Sequence, residues 1–258
     1  MGYAEFELDI PAVLRVELPK YFDAMPTTPL TEENILREIP DRAQGAYLLF
    51  LGNDLVYVGK TDAQAGFRSR LRRHLNNVRH RKNLDPVQVG FKAVRIFVFS
   101  NFDLEAMLIE EYTRHRGVRP VWNYSGFGSN DPGRNRENQN PAAFDLQYPV
   151  DIDREVDILR PGEHELMTVV LALKSALPYL FRYETGDGTW RSGHADMRDK
   201  KIVLPPGPLT TRAVLELILD KLPAGQGWRA TVLPNRVILY PEEDGVVYRG
   251  QQEVLQKP

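Results

Sequence analysis

The stretch that most constrains this chain lies between Gly45 and Lys60. Gly45-Ala-Tyr-Leu-Leu-Phe-Leu51 and Leu55-Val-Tyr-Val58 are short aliphatic and aromatic runs separated by Gly52-Asn53-Asp54. Such residues suit a pleated, half-buried surface, and Gly-Asn-Asp is turn chemistry, so the pattern predicts an antiparallel hairpin. A hairpin must cover its apolar face, and the residues that follow supply the cover. Over 67–78, Phe67, Leu71 and Leu75 recur at i, i+4 and i+8 in an arginine-rich run, which predicts a helix with one packing face. Val94-Arg-Ile-Phe-Val-Phe99 predicts a third strand. Residues 103–116 predict a second helix, capped by Asn101 or Asp103, with Leu104, Met107, Leu108 and Tyr112 on one side. The order β-β-α-β-α around a small central antiparallel sheet is an α+β class, an α/β sandwich in outline.

Around this core the chain changes character. Residues 1–40 read as an N-terminal extension punctuated by Pro11, Pro19, Pro26, Pro29 and Pro40, with one short helix over 31–39 capped by Thr28 or Thr31. Residues 126–141 are turn chemistry and predict a loop, and 147–162 read as a connector. Beyond them the patterns predict a helix over 163–183, a strand over 201–204 and a helix over 210–222. A hairpin of 228–233 and 236–240 turns about Pro234-Asn235. The 258 residues therefore divide into an extension (1–40), a core domain (41–150) and a small C-terminal α+β domain (160–258).

Composition narrows the chemistry. There is no cysteine, which excludes disulfides, thiolate zinc sites and cysteine nucleophiles, so any metal sits on oxygen or imidazole. No apolar run is long enough for a membrane span, and Glu5, Glu7 and Asp9 stand where a signal peptide needs positive charge. The expectation is a cytoplasmic protein with no membrane partner. The net charge of −2 hides an asymmetry: residues 41–140 hold 16 Lys and Arg against 10 Asp and Glu, the remainder 17 against 25. Arg68, Arg70, Arg72, Arg73, His74, Arg79, His80, Arg81 and Lys82 crowd together in the middle segment. Such a run is either a solvated helix face or a surface for a polyanion.

Tyr47 and Tyr57, on adjacent strands, can present their phenols on one face and hold a water between them. Arg70 and His74, one helical turn apart, project toward that face, where a guanidinium can grip a phosphate. Glu105 is a single carboxylate of the kind that suits a hard divalent ion completed by water and phosphate oxygens. Lys60 is either a phosphate contact or a strand-end lysine.

Gly45-Ala46-Tyr47, Tyr57-Val58-Gly59-Lys60-Thr61 and Arg70-Leu71-Arg72-Arg73-His74, followed by Leu104-Glu105-Ala106-Met107-Leu108-Ile109 and Arg119-Pro120-Val121-Trp122-Asn123, resemble the GIY-YIG nuclease superfamily in the right order. Ala46 and Val58 replace the usual isoleucines. About three extra residues precede Arg70 relative to compact members, so Arg68 is an alternative for the functional arginine. The resemblance implies a GIY-YIG core that hydrolyses nucleic-acid phosphodiesters with Tyr47, Tyr57, Arg70, His74, Glu105 and Asn123. Glu105 would hold Mg²⁺, with Mn²⁺ as a substitute, and Tyr47 would take or relay the proton of the attacking water while His74 tunes a tyrosine. Lys60, Arg68, Arg72 and Arg73 are the expected nucleic-acid contacts.

Asn123-Tyr124-Ser125-Gly126-Phe127-Gly128-Ser129-Asn130-Asp131-Pro132-Gly133-Arg134 further resembles a loop of type II restriction enzymes in that superfamily, which would bring Arg134 and Arg136 to the bases. The leading expectation is a site-specific endonuclease on double-stranded DNA, acting as a homodimer, at least on DNA. A defence or toxin effector or single-strand-specific nuclease controlled through its C-terminal domain, and a non-catalytic DNA-binding module, are the alternatives.

Overall fold

The computed structural model describes Gly2 and residues 9–61, 66–97, 103–123, 140–243 and 245–256. Its contacts divide the chain into two compact units: residues 1–78 with 85–127, and residues 79–84 with 128–258.

The first unit runs α1 (Ile10–Ala24), β1 (Thr28–Pro29), α2 (Glu32–Glu38), β2 (Gly45–Leu51), β3 (Asp54–Lys60), α3 (Gly66–Val78), β4 (Val89–Arg95) and α4 (Leu104–Arg116). Its antiparallel sheet has the order β1-β4-β2-β3. The hairpin, α3 and α4 fall where their patterns predict them, with Asp103 as the α4 cap. The third strand does not: β4 starts at Val89 and runs against the whole of β2, from Leu51↔Val89 to Gly45↔Arg95. Gly90 disguises that start. It is glycine because a Cβ there would lie 2.4 Å from Thr27 Cγ2, where β1 joins the sheet. Val98, Phe99 and Asn101 lie outside the described residues.

Residues 9–40 pack in this unit and are not an extension to it. Pro11 sits in the first turn of α1, where the missing N–H has no partner to lose, and Asp9 caps the turn through Ala12 N at 3.0 Å. Pro19 lies inside the helix and costs it a hydrogen bond, yet its neighbours hold it in place. Leu18 and Phe22 share one core with Ala46, Leu48, Phe50, Val58, Leu104, Met107 and Leu108. Alternation along β2 therefore sends Ala46, Leu48 and Phe50 to the side of α1 and α4, and leaves Tyr47 and Leu49 for the other side.

The second unit contains α5 (Ala143–Gln147), β5 (Glu155–Val156), β6 (Gly162–Glu165), α6 (Leu166–Ala176), β7 (Leu180–Tyr183), β8 (Lys201–Leu204), β9 (Leu209–Thr210), α7 (Thr211–Lys221), β10 (Trp228–Leu233), β11 (Arg236–Pro241) and β12 (Glu253–Gln256). Its main sheet has the order β12-β10-β11-β7, with β7 parallel to β11, and shares one apolar core with α6 and α7. The helix expected over 163–183 is three elements. Glu163 and Glu165 alternate in a strand paired with β8, and Pro178 ends helical continuity before β7.

The expected boundary near residue 150 also moves. Residues 79–84 and α5 pack in this second unit because Arg81 is buried there. Arg81 Nη1 donates to Asp145 Oδ1 at 2.9 Å, to the Tyr148 carbonyl at 3.0 Å and to the Pro234 carbonyl at 3.1 Å. One member of the basic cluster is thus an internal ion pair and not a surface charge.

Candidate active site

The β2–β3 register sets Tyr47 opposite Gly59 and Leu49 opposite Tyr57, so both phenols leave the same face of the hairpin. Gly59 makes room for the first. A Cβ at that position would stand 2.4 Å from Tyr47 Cζ and 2.5 Å from its hydroxyl. The Tyr47 ring is only 1% exposed and meets Phe67 edge-on at 6.2 Å. At the mouth of the hairpin Gly45 N donates to Thr61 Oγ1 at 2.8 Å, and Thr61 N to the Gly45 carbonyl at 2.9 Å.

Helix α3 brings the next two groups. Phe67, Leu71 and Leu75 bury its apolar stripe, and His74 lies on that buried side. His74 Nε2 and the Tyr47 hydroxyl are hydrogen-bonded at 2.7 Å. The Tyr57 ring centroid is 6.0 Å from that of Tyr47 and 5.0 Å from that of His74. A chain of polar groups therefore runs from half-buried Tyr57 through Tyr47 to His74. Arg70, one turn before His74, acts electrostatically on Tyr47, Tyr57 and Glu105 together.

The start of α4 is fastened to the end of β3. Asp103 Oδ1 accepts from Ala106 N at 3.3 Å, capping the helix, and from Lys60 Nζ at 2.9 Å. Lys60, through its ammonium and its backbone amide, favours the ionised Glu105 carboxylate. Asn123 closes the free edge of β3: its Oδ1 accepts from Val58 N at 2.8 Å and its Nδ2 donates to the Val58 carbonyl at 2.9 Å. An edge strand exposes unpaired backbone groups, and one side-chain amide satisfies both of them here.

Burial dominates the electrostatics. It pushes the Tyr47 phenol well above the usual tyrosine range, with Tyr57 adding to the rise and Arg70 opposing it. Tyr57 rises for the same reason and through Glu105. His74 is pulled down to about 3 by burial, then by Arg73 and Arg70, so the imidazole is neutral at working pH. Burial and Asp103 raise the Glu105 carboxyl. A half-buried carboxylate under that pressure is stabilised by a nearby cation. It opens onto a groove of about 650 Å³ lined also by Asp103, Glu110, Thr113, Arg114 and Arg119. Among the described residues no group of three or more Asp, Glu or His converges. A single carboxylate beside an open groove fits Mg²⁺ or Mn²⁺, which keep most of their shell for water and phosphate oxygens.

Tyr47, Tyr57, Arg70, His74 and Glu105 are brought together, and Asn123 braces the strand that carries Tyr57. Arg68 and Arg72 are not part of this group and are engaged within the fold. Arg68 Nε donates to the Ile39 carbonyl at 2.8 Å and Nη2 to the Leu36 carbonyl at 3.2 Å, while Arg72 Nε and Nη2 reach Glu32 Oε1 at 2.8 and 2.5 Å. Both hold α2 onto α3, which removes Arg68 as the alternative to Arg70. Arg73 is exposed, and Lys60 at the end of its strand pairs with Asp103. Arg134 and Arg136 lie outside the described residues. The sequence reading did not single out Gly59 or Asp103 as site residues, although the glycine of Tyr-Val-Gly and the cap two residues before Glu105 were visible signals.

Two phenols, a guanidinium and a carboxylate gather around one hairpin face, and the hairpin–helix frame that holds them is consistent with the GIY-YIG fold. Residues 55–153 match the family model described as the Eco29kI GIY-YIG domain, a family of GIY-YIG type II restriction endonucleases to which this part of the chain is similar. The match spans Tyr57, Arg70, His74, Glu105 and Asn123 and begins after Tyr47, whose place in the cluster rests on the structure. No curated protein matches the chain.

Proposed function

We propose that the chain is a divalent-metal-dependent endonuclease that cuts duplex DNA at specific sites and does so as a homodimer. The observation that carries this reading is the linked set Tyr57–Tyr47–His74 with Arg70 and Glu105 acting on both phenols. When bound at Glu105, Mg²⁺ or Mn²⁺ would supply positive charge to the scissile phosphate and the leaving oxygen.

The chain's own groups do the rest. Arg70 grips a non-bridging phosphate oxygen and offsets the charge that develops there. Tyr57 is the phenol that meets solvent, since Tyr47 is buried, so Tyr57 in its phenolate form takes one proton of the attacking water and becomes a neutral phenol as hydroxide is delivered to the phosphate, and Arg70 favours that phenolate. His74 is too weak a base to keep that proton and instead orients the Tyr47 hydroxyl. This departs from the expectation that Tyr47 takes or relays the proton of the attacking water. Asn123 keeps β3, and with it Tyr57, in place. Specificity is assigned to Arg134 and Arg136 on the strength of the sequence resemblance.

The test is purified protein on unmethylated plasmid and on single-stranded DNA, with Mg²⁺ or EDTA, and with Glu105→Ala as control. Discrete Mg²⁺-dependent duplex fragments, absent from Glu105→Ala while that variant still binds DNA, are expected. Cleavage confined to single strands, or full activity in Glu105→Ala, would overturn the substrate or the metal assignment respectively.

A further inference from the structure

We propose that the second unit carries its own contact for the phosphate backbone of duplex DNA, built from Trp190, Lys174 and Arg191. The proposal rests on the reading of the chain as a DNA endonuclease. Trp190 is 54% exposed, whereas the other two tryptophans, Trp122 and Trp228, are 2% and 5% exposed. An exposed indole costs apolar hydration. Its loop is pinned by Thr189 N to Ser192 Oγ at 2.8 Å, by Gly193 N to the Thr189 carbonyl at 2.8 Å, and by the Tyr183 hydroxyl on the Trp190 carbonyl. Gly193 has φ +65°, and a Cβ there would lie 2.4 Å from Met167 Sδ, so the loop seats tightly on α6.

Two cations stand on this aromatic surface. The Arg191 guanidinium lies 4.6 Å from the Trp190 ring centroid, and Lys174 Nζ lies 5.1 Å from that of Tyr183 and 6.0 Å from that of Trp190. Among the described residues neither has a carboxylate within ion-pair distance. The acids of the loop are engaged elsewhere: Asp187 pairs with Arg198, and Glu184 accepts from the Thr185 and Gly186 amides. A guanidinium laid on an indole spends little entropy on ordering and turns its N–H edge outward, which is the geometry that receives a phosphate. One face of the indole is already occupied by Arg191, which favours a backbone contact over stacking of an unpaired base.

The experiment uses the full chain carrying Glu105→Ala, so that binding is read whether or not the wild type cleaves. Anisotropy of a labelled duplex is followed across a KCl series. Removing both cations (Lys174→Met with Arg191→Gln) is expected to lower the slope of log K against log salt by about two, one per phosphate contact. Acrylamide quenching of the exposed Trp190 should fall when duplex is added. An unchanged slope with unchanged quenching overturns the proposal. So does quenching protected only by single-stranded DNA, or sedimentation showing that Trp190→Ala abolishes self-association while DNA binding stays intact. Failure of the nuclease reading is seen separately, as absence of cleavage by the wild type.

Discussion

At the scale of single residues the site depends on exclusion of water. His74 has a folded pKa near 3 against about 6.5 when unfolded, so the unfolded state binds the extra proton first as pH falls. The stability that this neutral, buried imidazole contributes is complete above about pH 6.5 and is lost toward pH 3, at roughly 1.4 kcal/mol per pH unit. Urea midpoints of the wild type should therefore fall more steeply between pH 7 and pH 4 than those of His74→Asn; parallel slopes would mean that His74 titrates normally. Gly59→Ala tests the opposite wall of the pocket. Its methyl would collide with the Tyr47 ring, so single-turnover cleavage should drop about 100-fold for a displacement on the ångström scale, with a stability cost of about 1–3 kcal/mol. Wild-type rates in that variant would release Tyr47 from the mechanism.

At the scale of elements, α2 is a brace for the helix that carries Arg70 and His74. Arg68 ties α3 to the carbonyls at the end of α2. Arg68→Ala is expected to lower stability by about 1–3 kcal/mol in denaturant melts while leaving the salt dependence of DNA binding unchanged. Arg73→Ala, on the exposed side, should do the reverse and reduce the salt slope by about one. A change of slope in Arg68→Ala would return that residue to the DNA surface. The elements that were legible in sequence are those whose pattern is local: the β2–β3 hairpin, α3 with its i, i+4 stripe, α4 behind its Asp103 cap, and α7 behind Thr210. Helix α1 was hidden because Pro11 and Pro19 look like breakers until the packing of Leu18 and Phe22 is known. The start of β4 was hidden because Val89-Gly90-Phe91 carries a weak strand signal and is defined by partners on β1 and β2. The site residues were legible as spacing, but the division of labour between Tyr47 and Tyr57 was not. Which phenol is sealed depends on Gly59, Phe67 and His74 closing around Tyr47.

At the scale of the whole molecule, each unit has its own apolar core, and Arg81 with Asp145 is the most deeply buried ion pair among the described residues of the second. Asp145→Ala would strand the guanidinium in a dry interior at a cost of about 3–5 kcal/mol, whereas Arg81→Met with Asp145→Leu should recover most of the loss. Calorimetry on the two variants distinguishes them, and equal melting would mean that water reaches Arg81. The partners of Arg81 also set an order of events during synthesis. Asp145 follows it by 64 residues and Pro234 by 153, so ribosomal output carries this arginine for most of its length before the last acceptor exists. The helix bearing Arg70 and His74 ends at Val78, one peptide bond before that waiting segment. A nascent chain halted before Pro234 would leave the guanidinium one carbonyl short of its full set, so a ribosome-stalled fragment should be the form that proteases and chaperones meet first.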